Sequence, residues 1–242
     1  METLSKLSEV QLKGAGYTTS EIVEIQLFQQ LYDKHIYSLK EMSSSSLAAN
    51  GYTEEQIKAI HSYDGTKAKA RLASAKVQFT TAKVDSLSYS KGYTRAKMSY
   101  SWKWTGIPAF KKQDIVVGSW NDWAVTDDYG TVTYYKKSTG KATSSATATS
   151  ATDGNGLRGR AHKFKMSAND NTEYAKQGAG YFKVKSDVHA KKDFYGRVTY
   201  GHTKLSMQVS FTVTPTGASP GVSFSMGTSK IASRPVKKGF KE

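Results

Sequence analysis

From residue 76 onward apolar side chains recur at every second position, and this period limits the fold more than any other feature. Met98, Tyr100, Trp102 and Trp104 alternate with Ser99, Ser101 and Lys103. Leu205, Met207, Val209, Phe211 and Val213 alternate with Ser206, Gln208, Ser210 and Thr212. Phe164 and Met166 interleave with Lys163 and Lys165, and Phe182 and Val184 with Lys183 and Lys185. A period of two sends alternate residues to opposite faces, so these segments read as antiparallel strands with one wet side. Further strands are predicted over 76–88, 114–119, 131–136, 197–200 and 222–226. Turn chemistry separates them at Thr105-Gly106-Ile107-Pro108, Asp127-Asp128-Tyr129-Gly130, Asp153-Gly154-Asn155-Gly156 and residues 217–221. Eight to ten strands with no long helix between them predict an antiparallel β-sandwich over residues 76–242.

The first 66 residues follow a different rule. Setting Gly16-Tyr17-Thr18 on Gly51-Tyr52-Thr53 gives an offset of 35 residues and eight identities over positions 4 to 25. Leu4, Ser8, Leu12, Ile22 and Ile25 fall on Leu39, Ser43, Leu47, Ile57 and Ile60. Ser8 and Ser43 are N-cap residues for a short helix, and Gly16 and Gly51 suit the left-handed position that ends one. Thr18 with Glu21, and Thr53 with Gln56, have capping-box spacing for a second helix. The chain therefore predicts a small all-α repeat module over 1–66, its two units burying their apolar stripes against each other, then a linker over 67–75.

Charge divides at the same place. Residues 1–66 hold five Lys and nine acidic residues, a net of −4, whereas residues 67–242 hold 30 basic and 11 acidic residues, a net of +19. A surplus of that size exceeds the roughly 2 to 8 charges that solubility requires. It points to an anionic polymer or surface, such as a cell-wall polymer, glycan or lipid headgroups, met by the wet-face residues Lys97, Lys103, Lys163, Lys165, Lys183 and Lys185. Nucleic acid is disfavoured: the basic part has no zinc finger, RNP-type motif or recognition helix. Leu12-Lys13-Gly14-Ala15-Gly16 resembles a helix-hairpin-helix turn, but the acidic module around it would repel phosphate. Such a module fits an adaptor with a protein partner.

Catalytic chemistry finds no support. There are no cysteines, no HxxxH or HxH pair among His35, His61, His162, His189 and His202, and no nucleophile elbow or phosphate loop. The pattern predicts no cofactor and no metal ligand set, although Asp114, Asp122, Asp127 and Asp128 cluster closely enough for calcium at a sandwich loop. All four tryptophans lie between 102 and 123. Trp102 and Trp104 share strand parity and belong in the core, whereas Trp120 and Trp123 would sit on a loop and could stack on sugar rings.

One segment stands apart. Residues 141–152 read Lys-Ala-Thr-Ser-Ser-Ala-Thr-Ala-Thr-Ser-Ala-Thr, with no large apolar side chain. This run resembles the inserting hairpin of aerolysin-like pore-forming toxins, which would span about residues 137–160. Its apolar face would offer only Ala142, Ala146 and Ala148, however, so a mobile surface loop is the expectation. No stretch approaches the roughly 18 apolar residues of a membrane-spanning helix.

Leu39-Lys40-Glu41-Met42-Ser43, Gly51-Tyr52-Thr53-Glu54-Glu55-Gln56-Ile57, Tyr63-Asp64-Gly65, Tyr100-Ser101-Trp102-Lys103-Trp104 and Tyr200-Gly201-His202-Thr203 together resemble a group of secreted Gram-positive proteins of unknown function. That resemblance implies an extracellular or cell-surface setting and an exported form from which a leader has been removed. It implies no activity and no site residues. The resulting expectation is a non-enzymatic binding protein, with a pore-forming protein or a Trp-based glycan-binding module as alternatives.

Overall fold

The computed structural model describes residues 4–152, 157–204, 209–214, 220–225 and 227–240. After a 3-10 turn at Leu4–Lys6 come α1 (Glu9–Gly14), α2 (Thr19–Gln26), α3 (Phe28–Lys40), α4 (Ser44–Ala49), α5 (Glu54–His61) and α6 (Lys67–Ala73). The strands are β1 (Lys76–Ser90), β2 (Tyr93–Thr105), β3 (Gln113–Trp120), β4 (Trp123–Lys136), β5 (Ala142–Thr147), β6 (Thr149–Thr152) and β7 (Gly159–Lys165). They continue as β8 (Ser167–Ala168), β9 (Glu173–Ser186), β10 (Phe194–Thr203), β11 (Phe211–Thr214), β12 (Gly221–Phe224), β13 (Thr228–Ala232) and β14 (Val236–Lys238).

Two antiparallel six-stranded sheets form a sandwich. The first runs β1-β2-β9-β4-β5 with β8 on β9, and the second runs β13-β10-β3-β7-β6 with β14 on β10. Met98, Tyr100, Trp102 and Trp104 of β2 and Phe182 and Val184 of β9 meet Val116 and Trp120 of β3, Phe164 of β7 and Tyr200 of β10 in one core. The alternation along β2 follows the pleat, every second residue from Thr94 to Trp104 being buried. A hairpin of β11 and β12 covers the far face of the second sheet with Val213 and Val222 over Ile115, Val117 and Ala161. Of the nine-residue alternation at 205–213, Leu205 and Met207 lie outside the described residues, and Val209 is buried as its parity requires. The turns expected at 153–156 and across 217–219, and Met226, also lie outside them.

Local capping shapes the helical region as its residues dictate. Ser8 caps α1 and Ser43 caps α4, while Thr18 and Thr53 close complete boxes with Glu21 and Gln56. Each such cap contributes about 1 kcal/mol. Gly16 at φ 87° and Gly51 at φ 93° take the left-handed position that ends α1 and α4.

The two segments do not bury their stripes against each other, however. Leu12, Tyr17, Ile22 and Ile25 form a small core of their own. Leu47, Tyr52, Ile60 and Tyr63 pack with Ile36 and Leu39 of α3, with Ala70 and Ala73, and with Ile107 and Tyr174 of the sandwich. Residues 67–75, expected as a linker, carry α6, because Ala70 and Ala73 supply an apolar side that joins this same core.

The segment 141–152 is not a loop. Its first half pairs with β4 as β5, and its second half pairs with β7 as β6. At Ala148, 7% exposed, the chain leaves one sheet and enters the other.

Candidate functional site

The outer face of the first sheet gathers four of the six lysines singled out by parity. Strand register sets Lys97 directly opposite Lys183, and Arg95 directly opposite Lys185. Lys103 lies six residues further along β2, about 20 Å away at roughly 3.4 Å per residue, opposite Gln177. Lys83 on β1 faces Ser99 and extends the patch sideways. Arg95 escaped the sequence reading, although its parity with Lys97 was the signal for it. Lys163 and Lys165 belong to β7 of the second sheet and share no surface with the other four.

Tyrosine rings lie among these cations. The Lys97 ammonium sits 4.8 Å and the Lys183 ammonium 5.1 Å from the centroid of Tyr181, and Lys185 stands 4.1 Å over Tyr93. Two carboxylates answer the charge. Asp127 pairs with Lys183 at 2.8 Å, and its bonds from Lys183 and Tyr181 hold its carboxyl below the usual range. Asp85 lies 3.2 Å from Lys83 and 3.9 Å from Lys97. Among the described residues Lys103 and Lys185 make no ion pair.

The four aspartates proposed for calcium do not converge. Asp127 points outward to Lys183, whereas Asp128 points inward, where it accepts from Ser150, from Arg160 Nε at 2.7 Å and from His162 Nε2 at 3.0 Å. Burial alone would raise the Asp128 carboxyl, but these three donors outweigh it and hold the group below its ordinary value. The His162 ring accepts from Tyr100 through Nδ1, giving a buried Tyr-His-Asp-Arg chain that links the two sheets. Asp114, fully buried, accepts from the Tyr200 hydroxyl at 2.7 Å, the Thr203 amide at 3.0 Å and His202 Nδ1 at 2.9 Å. Asp122 takes positive φ in the turn between β3 and β4. Among the described residues no group of His, Asp and Glu is arranged to hold a metal.

Trp120 and Trp123 are likewise placed elsewhere than expected. Both are core residues, 0% and 1% exposed, so neither indole can stack on a sugar. The two-residue turn between them is so tight that Trp120 ends β3 and Trp123 begins β4 on the facing sheet. The Trp120 indole N–H donates to the Trp123 carbonyl at 2.8 Å, and the Trp123 ring meets Phe194 edge-on at 5.2 Å. The neighbouring Asp127–Gly130 segment, which has turn chemistry, runs straight through the middle of β4.

The helical module is fastened to the sandwich through Asn50. Its Nδ2 donates to the Lys137 carbonyl at 2.7 Å, its Oδ1 accepts from Tyr174 at 3.0 Å, and its carbonyl accepts from the Gly106 amide at 3.1 Å. Lys176 Nζ reaches the carbonyl of Ala49 at the end of α4, and burial lowers that ammonium to about 8. Val10, Val23, Leu27 and Leu31 remain exposed on the helices before this junction. No helix among the described residues is long and apolar enough to cross a membrane.

No family model and no curated protein matches this chain. Solved structures offer weak likenesses. The C-terminal domain of the Streptococcus agalactiae AgI/II polypeptide BspA is similar with a TM-score of 0.35 and 10% identity, covering 60% of this chain and 42% of that one. AvmM, which catalyses macrocyclization in alchivemycin A biosynthesis, gives a TM-score of 0.30 at 8% identity over 69% of this chain and 90% of that one. The KRT10-binding region of the pneumococcal serine-rich repeat protein PsrP gives 0.23 at 11% identity, covering 65% of this chain and 98% of that one. The chain spans less than half the length of the BspA domain, and likenesses at these scores carry no argument about function.

Proposed function

We propose that the chain is a non-enzymatic binding protein of the cell surface or extracellular space, and that the outer face of its first sheet binds an extended anionic polymer. One observation supports this above all. Lys97 faces Lys183 and Arg95 faces Lys185 across adjacent strands, and like charges placed directly opposite destabilise a sheet. Two such pairs side by side, answered among the described residues by Asp85 and Asp127, repel one another, and an arriving anion relieves that repulsion. The interleaved Tyr93, Tyr129 and Tyr181 give that face apolar area for a polymer backbone to lie on. The exposed apolar residues on α1 to α3 support a protein partner for the helical module.

Retention of the whole chain on immobilised polyphosphate, eluted with salt, tests the reading. Retention is expected at about 0.05 M salt and loss by about 0.5 M, as the screening length falls from above 10 Å toward 3 Å. The K183E/K185E variant should elute at much lower salt, and K163E/K165E should elute like the parent protein. Equal shifts for both variants, or no retention at low salt, would overturn the assignment.

A further inference from the structure

A cleft of about 630 Å³ opens where the helical module meets the sandwich. That volume lies within the range of about 300–1,000 Å³ typical of small-molecule sites. One wall is a cluster of three near-parallel rings, with Tyr32 also 6.5 Å from Phe110. Phe28 and Phe110 lie 4.9 Å apart at an interplanar angle of 11°, and Tyr32 lies 6.2 Å from Phe28 at 12°. Trp104 and His202 also line it, meeting edge-to-face at 4.9 Å. His202 is held in orientation by Asp114, whose carboxylate already accepts from Tyr200 and from the Thr203 amide.

The remaining charge in the cleft is all of one sign. Lys67 and Arg71 come from α6, Lys76 begins β1, and Lys204 follows β10. Among the described residues that line the cleft there is no aspartate or glutamate. Arg71 and Lys204 make no ion pair among the described residues. The Lys204 ammonium stands 5.7 Å from the Phe28 ring centroid, and burial lowers its pKa. Cations gathered in a partly enclosed space focus their field on whatever enters it, and an anion there is attracted more strongly than on an open surface.

We propose that this cleft binds a small ligand made of a flat aromatic ring and an oxyanion, the ring extending the Phe28–Phe110 stack and the anion held by Arg71 and Lys204. The aromatic wall and the Arg71 and Lys204 cations are separate observations, and each accounts for one half of such a ligand. The site draws on no residue of the outer-face patch, so it stands independently of the polymer reading.

Equilibrium dialysis of the whole chain against naphthyl phosphate, naphthol and inorganic phosphate tests it. Naphthyl phosphate should bind at least about tenfold more tightly than either half alone, since both contacts are then made by one molecule. The R71E and K204E variants should each weaken binding by about tenfold, equal to one charge-assisted contact of roughly 1.4 kcal/mol. K183E should leave binding unchanged, which separates this site from the outer face. Arg71 is exposed on α6, so R71E reports even if K204E folds poorly. No retention of naphthyl phosphate at millimolar concentration, or equal retention by R71E and the parent chain, would refute the proposal.

Discussion

Asn50 occupies the position that Ala15 holds in the first copy of the N-terminal pattern, and this makes Asn50→Ala an unusually clean perturbation. The backbone there is nearly the same in both copies, φ −84° and ψ 3° at Ala15 against φ −79° and ψ −5° at Asn50. The substitution therefore keeps the backbone of the helix end and the Gly106 bond to it, and removes the two side-chain bonds to the sandwich together with the Asn50 Nδ2 bond to the Ser46 carbonyl. Tyr174, 0% exposed, loses the acceptor for its hydroxyl, and the Lys137 carbonyl loses its donor. An orphaned buried polar group costs about 1–3 kcal/mol, which gives about 3 kcal/mol for the pair, the Tyr174 hydroxyl carrying most of it. For a chain of this size that is a fall in Tm of about 6–12 °C. Scanning calorimetry reads it directly. The reciprocal change Ala15→Asn, at an exposed position, should shift stability by less than about 0.5 kcal/mol. Combining Asn50→Ala with Tyr174→Phe should cost less than the sum of the two, by about 1–2 kcal/mol, because the second change removes the orphan left by the first. Additive losses, or a Tm for Asn50→Ala within about 1 °C of the parent, would show that the module is not held through this residue.

Other outcomes follow from the same geometry. His35 donates through Nε2 to the Ile107 carbonyl at 3.0 Å, and burial, with Lys111 and Lys137 nearby, lowers it to about 4. The unfolded chain takes up that proton near pH 6.5, so the stability from neutral His35 should be complete above about pH 7 and decline by about 3 kcal/mol on titration to pH 4; His35→Gln should flatten this part of a denaturant-midpoint profile. Trp123→Ala should lower stability by about 3–5 kcal/mol, measured by denaturant unfolding, because it empties a core position rather than a sugar platform.

What the sequence made legible was local or periodic. The caps at Ser8, Thr18, Ser43 and Thr53 need only residues three positions away, and the β2 alternation needs only the pleat. What it concealed depends on partners far along the chain. Asp-Asp-Tyr-Gly at 127–130 has turn chemistry, yet Gly130 is required there because a Cβ would lie 2.8 Å from His162 and 3.0 Å from the Tyr100 hydroxyl. Asp128 is required there because it satisfies Arg160 and His162 from another strand. Trp120 and Trp123 looked like loop residues since the connection between them passes from one sheet to the other in two residues. The cleft was hidden for the same reason: its rings come from positions 28, 32 and 110 and its cations from 67, 71, 76 and 204.

The serine- and threonine-rich run closes one side of the sandwich by serving both sheets, and its near-uniform composition has a consequence of its own. Sliding β5 along β4 by two residues would exchange Ala, Ser and Thr for one another on the same faces and preserve the ladder. Within the strand itself little distinguishes one such alignment from the next; the turn at 136–141, held by Ser46 and Asn50, the buried Ala148 at the crossing and the irregularity at Tyr134 and Tyr135 choose among them. This border thus behaves like a zip fastener with interchangeable teeth. It tolerates changes of length in steps of two, and it offers a stray strand from another molecule no large apolar side chain to grip.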